Sequence, residues 1–410
     1  MSSAQHRFVA AGFLILALLP FVQGCLKSSG PVLPQDVVRV IGETGVNRTE
    51  LTKTIVRYYP DDSLKLKAAY FLIRNIARQY SVEYELVDSR ENKIPFQATE
   101  LDDSIPLKES WELFSGKHGH PRFQALRFSM DRDTLTASFL VKTIDLAVES
   151  RKWPWATDIH DTDFYENVLP YRVFNEYPDD WRQYLADFIL PQITDSIRHS
   201  RNQIAFLVNQ IINHLIVNDN RFSKRTHFPT PKEVLERGRG SEEEICDLKI
   251  KILRSIGIPA ALDYIPYAVD GIPARFIPVF LNENNVYQPL LADEGEISSF
   301  KQIPKVFRRC FRLCKEDLFT LKKPDQPSPP FLGHYPQIDV TRYYVPIDSI
   351  VFEGSCDDTL IYLTVLHDDE WKAIDWAFFK EGKAVFHQIG PIKNVRFAQM
   401  KAGTLLLLPQ

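Results

Sequence analysis

Gly238-Arg-Gly-Ser-Glu-Glu-Glu-Ile-Cys-Asp-Leu248, running on to Leu253-Arg-Ser-Ile-Gly-Ile-Pro259, is the stretch around which the rest of the chain is organised. Ser241 with Glu244 three residues later is a capping box: each side chain satisfies a backbone N–H that the first turn of a helix leaves without a partner. Ile245, Leu248, Ile252, Leu253 and Ile256 then recur at helical spacing and mark one apolar face. Gly257 suits the left-handed position just past the last turn, and Pro259 prevents the helix from resuming. Ala261–Pro266 follows as an apolar strand carrying Asp263. The spacing therefore predicts a glycine-rich turn, a helix and a strand in succession.

Working outward, the chain before this motif is mostly helical. Leu64, Ala68, Phe71, Leu72 and Ile76 predict a helix from about Ser63, and residues 135–220 are helical with breaks at Pro154, Pro170 and Pro178. Beyond it, Lys322-Lys-Pro-Asp-Gln-Pro-Ser-Pro-Pro330 is too rich in proline for a helix or a central strand and reads as a semi-rigid linker. Short strands are then predicted at Ser349–Phe352, Thr359–Leu366, Ile374–Phe379, Ala384–Gln388 and Thr404–Leu408, the pattern of a small β-sandwich. The expected fold class is α+β. Hydrophobic content of 44% supports sizeable cores, and a net charge of −4 argues against a nucleic-acid partner.

The first residues carry an address. Arg7 precedes an uncharged apolar run, Phe8–Val22, that is shorter than the ~20 residues needed to span a bilayer. It ends in Val22-Gln23-Gly24-Cys25, which resembles the lipobox of bacterial lipoproteins, in which the cysteine is lipidated and becomes the first residue. This implies residues 1–24 as a signal peptide, Cys25 as the lipid attachment site, and a membrane partner through that anchor. The implied location is extracytoplasmic, in the cell envelope and at the outer membrane. Residues 25–60 are expected to be a tether, 61–325 the helical region with its core, and 326–410 the β-rich domain.

Gly-Arg-Gly-x-x-Glu, the helix, Leu-Arg-Ser-Ile-Gly-Ile-Pro and the strand resemble the core of bacterial transglutaminase-like domains, which share the papain-type fold. Similar surface lipoproteins also carry counterparts of Lys65–Ile76, Trp153-Pro-Trp155, Leu169-Pro-Tyr-Arg-Val173 with Asn175-Glu176, Trp181-Arg182, Lys305–Arg308, Asp339–Thr341 and Trp371–Trp376. The family places a nucleophilic cysteine at the start of this helix, where the helix N-terminus favours thiolate, then a histidine on the next strand and an acid to orient it. Here the nucleophile position is Glu242. The strand expected to hold the histidine reads Ile272-Pro-Ala-Arg-Phe-Ile-Pro-Val-Phe280, and Val286–Leu290 offers no carboxylate. No histidine occurs between His227 and His334. The resemblance thus implies a pseudoenzyme. Cys246, one turn further along, is the weak remaining candidate for a nucleophile, and a buried, inert thiol is the competing reading.

Other clusters have plainer readings. Asp158, His160, Asp161 and Asp163 lack the EF-hand spacing and read as a loop that caps a helix. His118-Gly-His120 reads as an exposed loop, and Arg308, Arg309, Arg312 and Lys315 as a solvated basic face. Cys246, Cys310, Cys314 and Cys356 allow three disulfide connectivities, or remain as thiols. No cofactor or metal is expected. Three functions stay open: a non-catalytic binding or structural module, a thiol hydrolase or acyltransferase using Cys246, and a glycan-binding accessory protein using Trp153 and Trp155 or aromatic residues of the β-domain.

Overall fold

The computed structural model describes residues 32–267, 269, 274–290, 303–323, 326–356 and 359–409. Cys25 and the signal lie outside the described residues. The first half contains α1 (Gln35–Glu43), α2 (Arg48–Val56), α3 (Ser63–Asn75), β1 (Tyr80–Val87), β2 (Lys93–Ile94), α4 (Leu107–Lys117), β3 (Arg122–Met130), α5 (Asp131–Thr134), α6 (Ala137–Ser150), α7 (Asp161–Asn167), α8 (Trp181–Ile189) and α9 (Arg201–Leu215). Next come β4 (Val217–Asn218), α10 (Pro231–Arg237), β5 (Arg239–Gly240), α11 (Glu242–Ser255), β6 (Ala260–Ile265), β7 (Arg275–Leu281), β8 (Tyr287–Pro289), β9 (Phe307–Arg309) and α12 (Leu318–Leu321). The chain closes with β10 (Gln337–Asp339), β11 (Asp348–Glu353), β12 (Leu360–His367), β13 (Glu370–Phe378), β14 (Lys383–Ile389), β15 (Arg396–Lys401) and β16 (Thr404–Leu407). The fold is a mixture of helices and several sheets.

The central motif folds as its local chemistry demands. Ser241 Oγ accepts from the Glu244 N–H, and the Glu244 carboxylate accepts from the Ser241 N–H at 3.0 Å. Gly257 has φ +84°, and a Cβ there would lie 2.6 Å from the Ser150 carbonyl oxygen, so both backbone conformation and crowding require glycine. One expectation needs correction. Helix α11 is not amphipathic in its surroundings: Glu244 through Ser255 are all buried, in contact with α8, α9, α10, β6 and β7.

The expected tether is also different. From Gln35 onward it is helical, with Val37, Val40, Leu51 and Ile55 buried in the main core with α3. Valine and isoleucine at helical spacing supply an apolar face that a solvated linker would leave in water. Beyond the core helix, an antiparallel sheet runs in the order β10-β9-β6-β7-β8. Strand β10 follows the proline cluster in sequence, so this sheet crosses it. The C-terminal strands form a four-stranded sheet, β13-β12-β15-β16, and a pair, β11-β14. Phe352, Ile361, Leu363, Val365, Ile374 and Phe386 from both share one apolar cluster.

Candidate functional site

Helix α11 begins with an ion pair at Glu242. Glu242 is half-buried, Arg275 Nε of β7 lies 3.5 Å from its Oε1, and the Phe276 N–H donates to the same carboxyl. Burial pushes the Glu242 carboxyl above its ordinary range, and Arg275 and the Phe276 N–H oppose that rise. A carboxylate at this point also meets the positive end of the helix dipole.

Cys246 lies below it, 4% exposed, with Sγ donating to the Phe276 carbonyl at 3.4 Å. Burial first, then the Glu242 charge, drive its thiol far above the ordinary range. Such a thiol has almost no thiolate at neutral pH.

The charges along α11 are sockets for distant segments. Lys251 bonds Asp247 at 2.8 Å and Glu176 at 2.9 Å, and Glu176 also accepts from the Val173 and Phe174 N–H groups. Burial works against Glu176, but Lys251 and Arg172 hold its carboxyl down to about 2. Arg254 donates to the Ala260 and Arg172 carbonyls, and Lys249 to Asn209 and Asn213. Arg172 in turn pairs with buried Asp131, which also accepts from the Tyr171 hydroxyl. The segment Leu169–Glu176 thus supplies partners that make a polar helix tolerable inside a core.

The remaining expected sites disperse. Asp158 pairs with Arg201, Asp161 with Arg151, and Asp163 accepts from the Tyr287 hydroxyl. No group of residues suited to a metal ion occurs among the described residues. His118 stacks on Phe114, and His120 faces the Ser115 hydroxyl at 3.4 Å. Trp153 and Trp155 stack on each other at 5.2 Å; Trp155 is core, 4% exposed with its indole N–H on the Ile256 carbonyl, and Trp153 is partly buried against that core.

The basic run is a solvated face only in part: Arg312 and Lys315 are exposed, but Arg308 is not. Arg308 is buried and grips Asp263 through two bonds of 2.7 and 2.9 Å, while Arg309 lies over Tyr335 and Arg312 pairs with Glu166 at 2.6 Å. One cation of that run, Arg308, is needed inside, because Asp263 on fully buried β6 requires a counter-charge, while Arg312 and Lys315 stay exposed.

A wide opening lies elsewhere. A cleft of about 1010 Å³ is lined by Phe71 and Arg74 of α3, Arg312 and Cys314, and Trp376 and Phe378 of β13, among others. Trp376 and Phe378 meet edge to face at 5.4 Å, and Phe378 is 45% exposed. Lys305 closes the floor, bonded to Asp339 and, at 2.9 Å, to Asp375. Glu242 does not line this cleft. The alternation of Trp376 and Phe378 along a strand places both on one face, and that period of two was the signal that could have found them.

No known family profile matches the chain, and no curated protein matches it. A solved crystal structure described as a "putative protease" from Parabacteroides distasonis ATCC 8503 is similar over 57% of this chain, with 10% identity and a TM-score of 0.24. The match covers 40% of that protein's length. A likeness at that level carries no argument about fold or activity.

Proposed function

We propose that this chain is a transglutaminase-like protein, tethered outside the cytoplasm through Cys25, that has lost its catalytic residues and serves as a binding or structural module. The observation that carries this reading is the Glu242–Arg275 pair at the start of α11, in the place where the resembling family holds a reactive cysteine. Helix α11 packed on antiparallel β6 and β7 supports a papain-type core. The two C-terminal sheets sharing one apolar cluster support the small β-sandwich.

The hydrolase alternative has less support: Cys246 is buried, bonded to a carbonyl, and lies in a stretch without histidine. The test is to incubate the full chain with a glutamine-containing acceptor peptide and an amine donor. No transfer or hydrolysis is expected, and turnover abolished by Cys246→Ala would refute the reading. Labelling of the cellular protein with a clickable fatty acid tests the tether. Label lost on Cys25→Ala is expected, and unlabelled wild-type protein would refute it.

One observation favours a glycan-binding role within this reading. The aromatic pair Trp376–Phe378 lies in a cleft lined by charges of both signs, a combination suited to stacking a sugar ring and bonding its hydroxyls. A polysaccharide array probed with wild type and Trp376→Ala decides it. Binding lost in the variant is expected, and a blank wild-type array removes this role.

A further inference from the structure

Three arginines from distant parts of the chain meet at one small cavity. A space of about 20 Å³ is lined by Arg172, Arg254 and Arg309, with Phe174 and Cys310 among the other walls. Arg172 and Arg254 are each 4% exposed, whereas Arg309 and Cys310 are half-buried and form the outer wall. Direct contacts hold the three cations around this point. Arg254 Nη1 donates to the Arg172 carbonyl at 3.0 Å, and Arg172 Nη1 to the Phe174 carbonyl at 3.4 Å. The Arg309 guanidinium lies 5.3 Å from the centre of the Phe174 ring.

The charges here do not balance. Arg172 pairs with Asp131 through Nη2 at 2.5 Å, but its Nε, which is wholly enclosed, has no hydrogen-bond partner among the described residues. Arg254 donates to the carbonyls of Ala260, Pro170 and Arg172. Arg309 bonds Asn175 Oδ1 at 2.7 Å and lies over the Tyr335 ring. Buried Arg182 donates to four carbonyls, one of them that of Arg254. Among the described residues, none of Arg182, Arg254 and Arg309 forms an ion pair. Glu176 and Asp247 are bonded to Lys251 instead. Burial accordingly holds the Arg254 guanidinium down at about 10, although Asp247 and Glu176 oppose that fall. Enclosed cations without a counter-charge are costly, and a buried N–H without a partner calls for an occupant.

We propose that this cavity is a binding site for one monatomic anion of the halide class, chloride above all, held by Arg172, Arg254 and Arg309. Size and charge together select the ligand. A cavity must offer about 10–15 Å³ to admit one water, and a halide is only slightly larger, whereas sulfate, phosphate or a carboxylate ligand is too bulky. A water could accept from Arg172 Nε, but it would leave the excess positive charge where it is. An anion satisfies the N–H and offsets the charge. It would also tie the end of β9 to the Leu169–Glu176 segment and to α11, so filling the site should stabilise the fold.

The experiment melts the full chain at constant ionic strength while gluconate, too large to enter, is replaced stepwise by chloride or bromide. A melting temperature that rises and then saturates is expected with both halides. In Arg309→Gln the halide concentration giving half of that rise is expected to be roughly tenfold higher, the loss of one charged donor. Arg309 is half-buried, so this variant keeps the core packing. Crystals soaked in sodium bromide and measured at the bromine absorption edge should show an anomalous peak between Arg172 and Arg254. A melting temperature indifferent to halide overturns the proposal, as does a cavity without anomalous signal, where the occupant is water. An Arg309→Gln response equal to wild type would mean that any halide effect arises elsewhere, and it too overturns the site. None of these outcomes depends on the tether, a glycan or catalysis.

Discussion

Lys251 Nζ stands 2.9 Å from the Glu176 carboxylate, with both side chains almost wholly removed from solvent. Seventy-five positions separate them in the chain, so the pair records how the Leu169–Glu176 segment docks onto α11. Because Asp247 shares the same ammonium, Lys251→Met would strand two buried carboxylates. Breaking a buried pair from one side costs about 3–5 kcal/mol. A urea midpoint for Lys251→Met lowered by that amount is expected. A loss under about 1 kcal/mol would show that water reaches the carboxylates and that the docking is looser than described.

Two carboxyls near the cleft set a pH dependence. Burial pushes Asp317 and Glu166 up to about 7, against Gln337 and other N–H donors in the first case and Arg312 in the second. Their folded values lie above the unfolded ones, so between the ordinary carboxylate range and about 7 the folded chain holds protons that the unfolded chain has released. Stability therefore falls as pH rises through that window. Urea midpoints measured from pH 4.5 to pH 8 are expected to show this slope, reduced in Asp317→Asn. An unchanged slope in the variant would exclude Asp317 as a source.

Gly257 ends α11 with no room to spare. Gly257→Ala would place a methyl group against the Ser150 carbonyl and strain a left-handed backbone, at a cost of about 1–3 kcal/mol. Thermal melting of the variant should fall by several degrees. A melting point equal to wild type would mean that the Ser150 turn yields freely.

Glu242→Cys would place a thiol at the helix start without adding a base. That thiol is expected to react with iodoacetamide at least tenfold faster than Cys246, since it would be half-exposed and near the helix dipole. No acyl transfer should follow, because a thiol nucleophile needs an adjacent base. Turnover in this variant would reveal a base that the sequence pattern does not show.

What could be read before folding follows the range of each interaction. Ser241, Glu244 and Gly257 declared a helix and its ends because caps act over three or four residues. The strands from Ser349 onward were legible from alternation, although β15 escaped: Arg396–Lys401 mixes charged and apolar residues without clean alternation. The helices α1 and α2 were hidden behind an expectation of a tether, since nine-residue helices hold only by packing. Arg308 read as surface because its partner, Asp263, lies 45 positions earlier.

The sequence alone determined the capped helix from Glu242, the glycine that ends it and the strand that follows. These are statements about residue identity and short spacing. Only the tertiary structure decided that α11 is buried from Glu244 onward, that Glu242 is matched by Arg275, that Trp155 is core and that Arg308 is buried against Asp263. Each of those depends on contacts between segments far apart in the chain, where burial and ion pairing are set by the packed whole rather than by neighbours in sequence.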